Sequence, residues 1–319
     1  MAAPTKIILD LDTGIDDAMC LTYVLGSPEV ELIGVTGVFG NVQVEQGVRN
    51  ARAILALYRQ NHIPVIAGAS RPEQGSGPYE VEEIVEFIHG HNGIGNIDIP
   101  DASEPATTDA KDAADFLIQA YHRFGQDLII VPTGPETNIA EAMRRDKDFA
   151  HGARIVLMGG AVTIPGNVRP WSEANIFGDP DAANYLLRTA PQITMVGLDA
   201  TQQVRLTKED TARWRGNPKG DFLADAVDYY IDAHDRTAPG LNGCYLHDPL
   251  ATAIAIDPSL GRYVPLNLKV DTDGPTRGRT IADETRLSKT PKTCHVTVGV
   301  DKERFLAELM SRILRVVGS

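Results

Sequence analysis

KIILDLDTGIDDAMCL, residues 6–21, joins two patterns at one point of the chain. Lys6 to Leu11 is an almost unbroken apolar run, the composition of a strand covered on both faces. Asp10, Asp12, Asp16 and Asp17 then crowd its end. Carboxylates that close together repel one another and resist leaving water, so something positive is needed to hold them.

Outward from this stretch the same alternation continues. Glu31 to Val38, Pro64 to Ala67, Asp127 to Val131, Arg154 to Met158 and Ile193 to Leu198 are further strand candidates rich in Val, Ile and Leu. Val44 to Arg59 and Lys111 to Phe124 lie between them with apolar residues at helical spacing. Alternating strands and helices predict βαβ units and an α/β fold, a mostly parallel central sheet with helices on both faces. From about Arg205 the chain becomes polar and helix-rich as far as Asp235. A Gly-containing loop, HDPLATAIAID and three late strand candidates around Leu266, Thr280 and Val296 follow. No linker, repeat or low-complexity tract divides it, and residues 1–319 are expected to form a single domain with elaborations in the C-terminal third.

Composition narrows the partners. Of 319 residues, 43% are hydrophobic, enough for a full core. The 43 acidic residues outnumber 30 basic ones, and the net charge of -13 argues against a nucleic-acid partner. Cys20, Cys244 and Cys294 are an odd number, far apart and in no metal spacing, as in buried, reduced thiols. No apolar stretch has membrane-spanning length, and MAAPTKIILD runs straight into the first strand without the features of a signal peptide. The expectation is a cytoplasmic protein that does not engage a membrane.

In an open α/β sheet ligands bind beyond the carboxyl ends of the parallel strands. The residues there are Asp12, Asp16 and Asp17 after the first strand and Asn41 after the second. Thr133 and Asn138 follow the fourth, and MGGAVTIPGNV follows the fifth. Asp16 and Asp17 could simply open a helix, where carboxylates meet the favourable end of its dipole. That leaves Asp10 and Asp12 unexplained, and a hard divalent cation bound through oxygens resolves the repulsion best.

Two enzyme types write such a stretch. Dehalogenase-type phosphatases open with D-x-D-x-T, of which DLDTG matches only the aspartates. Nucleoside hydrolases open with D-x-D-x-G-x-D-D-A, and DLDTGIDDA fills every fixed position. The chain resembles the inosine-uridine preferring nucleoside hydrolase family from end to end. The motifs that carry the resemblance are GVFGN at 37–41, IHG at 88–90, VPTGPETNIA at 131–140, MGGA at 158–161, GNV at 166–168, EANIFGDPDAA at 173–183 and HDPLA at 247–251.

The resemblance implies Ca²⁺, held by Asp12, Asp17, Asp248 and the main-chain oxygen of Thr133. It implies hydrolysis of the N-glycosidic bond of ribonucleosides such as inosine and uridine, in purine and pyrimidine salvage. Asp12 is similar to the family's general base and His247 to its proton donor. Asp16 resembles the group that grips the ribose 2-hydroxyl, and Asn167, Glu173 and Asn175 those that hold the other hydroxyls. Asn41 and Met158 match further pocket contacts, and His89 faces the leaving base. Tyr230 and His234, one turn apart on a helix, match positions lining the base pocket. A homodimer or homotetramer is implied as well.

Two positions depart from the family pattern. Thr13 stands where many members carry Pro, a change expected to be harmless, and Ala174 replaces a bulky residue and is expected to enlarge the pocket. Trp171, near the ribose motif, is a candidate for stacking on a base or for packing under a loop. The same machinery could cleave another N-riboside such as nicotinamide riboside. A Mg²⁺ phosphatase and a noncatalytic ribose-binding protein are the alternatives from other classes.

Overall fold

Isoleucine and leucine alternate between two cores along the first strand, which explains why the whole run is apolar. The computed structural model describes residues 3–102 and 106–318. In it β1 spans Thr5–Leu11. Ile7, Leu9 and Leu11 enter one buried cluster while Ile8 enters another on the opposite face. In β4, Leu128–Pro132, Ile129 and Val131 face the first cluster, and Leu128 and Ile130 the second. Burying each such side chain stabilises the fold by roughly 1.5–3 kcal/mol.

The other strands of this sheet are β2 (Val30–Gly37), β3 (Val65–Ala67), β5 (Arg154–Met158), β6 (Ile193–Val196), β7 (Gly261–Leu266) and β8 (Cys294–Val300). Their spatial order is β3-β2-β1-β4-β5-β6-β8-β7. All neighbours are parallel except β7, which runs antiparallel to β8 at one edge. The predicted α/β class and mostly parallel sheet are therefore observed, with strand ends displaced by one or two residues. Of the late strand candidates, those near Leu266 and Val296 join the main sheet, whereas Thr280–Ala282 pairs with Leu268–Val270 in a separate ribbon. The helices Ile15–Leu25, Val44–Leu57, Pro218–Thr237, His247–Ile256 and Lys302–Val317 contribute to the first core. The second packs against Ala113–Phe124, Thr137–Arg145 and Pro180–Thr189. No helix among the described residues is long and apolar enough to cross a membrane. All three cysteines are buried and unpaired, as expected.

Strand order reverses between β1 and β4, opening a crevice at their carboxyl ends. The Thr133 N–H bonds the Asp10 carbonyl at 2.8 Å, which ties the two strand ends together. Gly14 caps the Ile15–Leu25 helix. A Cβ there would lie 2.5 Å from His89 Nδ1 and 2.6 Å from Asn41 Nδ2, so only glycine lets these side chains approach. Thr13 has φ +32°, a backbone a proline ring cannot adopt.

Candidate active site

Asp12, Asp16, Asp17 and Asp248 are all buried where the strand ends part. Asp16, Asp17 and Asp248 each offer an oxygen within 4.8 Å of the others. Asp16 and Asp17 are in the first turn of the Ile15–Leu25 helix, and Asp248 is in the first turn of His247–Ile256, so two helix N-termini aim at one point. Asp17 is held by the Gly14 N–H at 2.7 Å and the Thr133 hydroxyl at 2.7 Å. Asp12 receives the Asn41 main-chain N–H at 2.8 Å and its side-chain amide at 2.9 Å.

Burial followed by the charge of Asp17 pushes Asp16 up to about 7 and holds Asp12 well above the ordinary carboxylate range. Burial, then Asp16, does the same to Asp248. Among the described residues no Lys or Arg pairs with any of the four, and Asp16 Oδ1 is fully buried without a hydrogen-bond partner. Such unsatisfied, crowded oxygens fit a hard divalent cation. The Thr133 carbonyl accepts the Asn175 amide at 2.8 Å and keeps a second lone pair.

Asp10 behaves otherwise than expected. Its Oδ1 accepts the Thr36 hydroxyl at 2.5 Å and the Asn138 amide at 2.7 Å. Burial raises it to about 7; neutral donors serve its Oδ1, while its Oδ2 is buried without a hydrogen-bond partner among the described residues. Asn138 thus serves the strand ends, also donating to the Gly37 carbonyl at 2.9 Å.

Around the carboxylates stand the aromatic and imidazole groups. The Tyr230 hydroxyl lies 3.4 Å from Asp16 Oδ2, and its ring centroid is 5.1 Å from that of His89 and 4.2 Å from that of His234. His89 Nδ1 accepts the Ile15 N–H at 3.2 Å, which places the ring hydrogen on Nε2. His247 Nδ1 pairs with the Thr201 hydroxyl at 2.8 Å. Burial lowers His89 and His247 to about 3, and both are neutral near pH 7. Thr201 and the buried Glu136 carried no recognisable signal in sequence, the latter despite standing inside VPTGPETNIA.

The ribose candidates occupy the other side of Thr133. Asn175 donates to the Met158 carbonyl at 3.0 Å as well as to Thr133, and its amide also lies 3.3 Å from Met158 Sδ, so Met158 meets it through both main chain and side chain. Glu173 caps the Ala174–Gly178 turn, accepting the N–H groups of Asn175 at 3.0 Å and Ile176 at 3.2 Å, and also that of Gly160 at 2.9 Å. Asn167 is exposed, and its Oδ1 accepts the Ala174 N–H at 3.1 Å. A cavity of about 200 Å³ reaches Asp12, Asn41 and Asn175 and is lined by Ala174. Trp171 is 48% exposed with the Arg279 guanidinium 6.0 Å from its ring centroid, so it does not pack under a loop.

Residues 7–307 match the family model described as inosine-uridine preferring nucleoside hydrolase. The chain belongs to this family. It is 36% identical to uridine nucleosidase 1 of Arabidopsis thaliana over 283 residues, 88% of this chain and 82% of that one. It is 33% identical to the pyrimidine-specific ribonucleoside hydrolase RihA of Escherichia coli, over 98% of this chain and 99% of the relative. The purine-preferring ribonucleoside hydrolase from Gardnerella vaginalis superposes with a TM-score of 0.94 at 52% identity, covering 98% and 99% of the two chains. The protein is a ribonucleoside hydrolase of the nucleoside hydrolase fold, and its aspartate cluster could hold a metal ion.

Proposed function

We propose that this nucleoside hydrolase is calcium-dependent and cleaves inosine, uridine and related ribonucleosides, nucleoside plus water giving free base plus ribose. The observation that carries the reading is the close buried cluster of Asp16, Asp17 and Asp248 together with the buried Asp12, none of them paired with Lys or Arg among the described residues. Asp12, Asp17, Asp248 and the Thr133 carbonyl would hold the ion. When bound, it supplies Lewis acidity and a fixed positive charge at that point.

The remaining work falls to side chains. Departure of the base leaves positive charge on the ribose ring, and a water arrives from the opposite face as in other glycoside hydrolyses. Asp12, oriented by Asn41, accepts that water's proton. Asp16 accepts from the ribose 2-hydroxyl, while Asn167, Glu173 and Asn175 serve the others with the lone pairs and amide hydrogens their structural bonds leave over. His247 offers its ring hydrogen to the departing base, and His89, Tyr230 and His234 surround that base. Relatives carrying pyrimidine-specific and purine-preferring names support a pocket of this kind for both classes.

The test is a panel of inosine, uridine, their 2-deoxy analogues and a phosphate ester, assayed with and without calcium for released base, reducing sugar and phosphate. Calcium-stimulated release of base and sugar from the ribonucleosides, with the deoxy analogues at least about a hundredfold poorer, is expected from a site that reads hydroxyls by hydrogen bonds. Comparable use of 2-deoxyinosine would remove Asp16 from its role, and activity undiminished in stringently metal-free protein would end the calcium reading.

A further inference from the structure

The two helices that bring acids to the site are also joined one turn behind them. On Ile15–Leu25, Cys20 follows Asp16 by four residues and Asp17 by three, the two spacings that share a helix face. On His247–Ile256, Thr252 follows Asp248 by four residues in the same relation. Cys20 Sγ and Thr252 Oγ1 are 2.9 Å apart, in hydrogen-bond contact across the seam where the two helices pack. The contact therefore sits about one helical pitch, roughly 5.4 Å, behind the acids.

Stability does not call for this pair. Both residues are 0% exposed, and neither polar atom has another hydrogen-bond partner among the described residues. Two apolar side chains of the same shape would fill such a seam at little or no cost, whereas either polar group alone would be left unsatisfied. What a matched polar pair adds is a fixed register and separation, because only one arrangement of the helices satisfies both groups. Burial raises the Cys20 thiol far above its ordinary value, so it keeps its proton and is no ligand for a hard cation.

The separation of these helix ends matters to the ion. Oxygens of Asp16, Asp17 and Asp248 all lie within 4.8 Å of one another, two of the acids on one helix and the third on the other. Calcium takes oxygens at about 2.3–2.6 Å and tolerates varied geometry, while magnesium needs about 2.0–2.1 Å and a near-ideal octahedron. Resting on the calcium reading above, we infer that Cys20 and Thr252 are a positioning pair that holds the two acid-bearing helix ends at the spread of the larger ion. Without the contact the ends are free to close, and the advantage of calcium over magnesium shrinks.

The experiment measures Kd for calcium and for magnesium by isothermal titration of the chelator-treated full chain, as wild type, Thr252→Val, Cys20→Ala and Thr252→Ser. Valine is close to threonine in shape without the hydroxyl, alanine removes the sulfur from the other helix, and serine keeps the hydroxyl. Melting curves of the metal-free proteins verify folding, and two disruptions from opposite helices ensure that one failure does not decide the matter. Thr252→Val and Cys20→Ala should each lower the calcium-to-magnesium affinity ratio at least about threefold, within reach of one lost hydrogen bond, with Thr252→Ser near wild type. A contact that only supports packing would weaken both ions alike or neither. A smaller change of the ratio in the folded variants, a Thr252→Ser as altered as Thr252→Val, or failure of both disrupted variants to fold would overturn the positioning role. A wild type that binds calcium no more tightly than magnesium would instead overturn the calcium reading beneath it.

Discussion

Asn41 grips Asp12 at both carboxylate oxygens, with its main-chain N–H 2.8 Å from Oδ2 and its side-chain amide 2.9 Å from Oδ1. This fixes the carboxylate plane of the candidate base with neutral donors, without neutralising the charge it needs. Hydrogen bonds to an ionised group contribute about 1.5–3 kcal/mol. Asn41→Ala removes the side-chain bond and keeps the main-chain one, so kcat should fall by roughly 10- to 100-fold with a smaller change in KM. Steady-state kinetics on inosine checks this, and an unchanged kcat would show that the clamp does not serve catalysis.

Metal removal should be visible in stability before it is visible in rate. Asp16, Asp17 and Asp248 repel one another at close range in a buried setting, and a ligand that binds only the folded state adds about 2.7 kcal/mol at a hundred times its Kd. Calcium added to chelator-treated protein should therefore raise the melting temperature by several degrees, and Asp17→Asn should blunt the response. Calorimetry over a calcium titration is the measurement. Identical melting curves throughout would sink the metal reading of the cluster.

Glu136 makes a separate, pH-dependent prediction. It is fully buried, neither carboxylate oxygen has a hydrogen-bond partner among the described residues, and burial followed by Glu173 raises it well above the ordinary value of 4.5. A folded pKa above the unfolded one means that the group's stabilising contribution is full below the unfolded value and is lost as pH rises through the folded value. Glu136→Gln cannot ionise. Relative to wild type, the variant should gain up to about 1.4 kcal/mol of stability per pH unit as pH rises above about 5. Melting temperatures of both proteins at saturating calcium between pH 5 and 8 test it, and a difference that does not vary with pH would refute the assignment.

What could be read in advance was whatever is local. β1 and the helix after it were legible because an apolar run, a glycine and two first-turn acids lie within a few residues of one another. The neutral donors on Asp10 Oδ1 were not legible because Thr36 and Asn138 are 26 and 128 residues away. Asn41 was legible as a residue of the site, but its grip on Asp12 depends on how β1 and β2 are paired, which no spacing reveals. The same holds for β8, whose strand pattern was evident while its parallel place beside β6 was not. Glu136 was invisible for a different reason, since an isolated glutamate in a polar loop motif looks solvated until the chain is folded over it.

A departing base needs a proton donor. His247 is buried at the start of the helix that also carries Asp248, and its Nδ1 pairs with the Thr201 hydroxyl at 2.8 Å, fixing the ring's orientation. Replacing it with Ala leaves Asp248 untouched, so calcium affinity should hold. Inosine turnover should drop by roughly a hundredfold or more, within the range for loss of a positioned proton donor. p-Nitrophenolate leaves without a proton, so hydrolysis of p-nitrophenyl riboside should survive. Thr201→Val, which loosens the ring without removing it, should slow inosine less than His247→Ala and again spare the activated substrate. Equal losses on inosine and p-nitrophenyl riboside in His247→Ala would mean that this residue positions ribose or metal, and the donor would then be sought at His89 or His234.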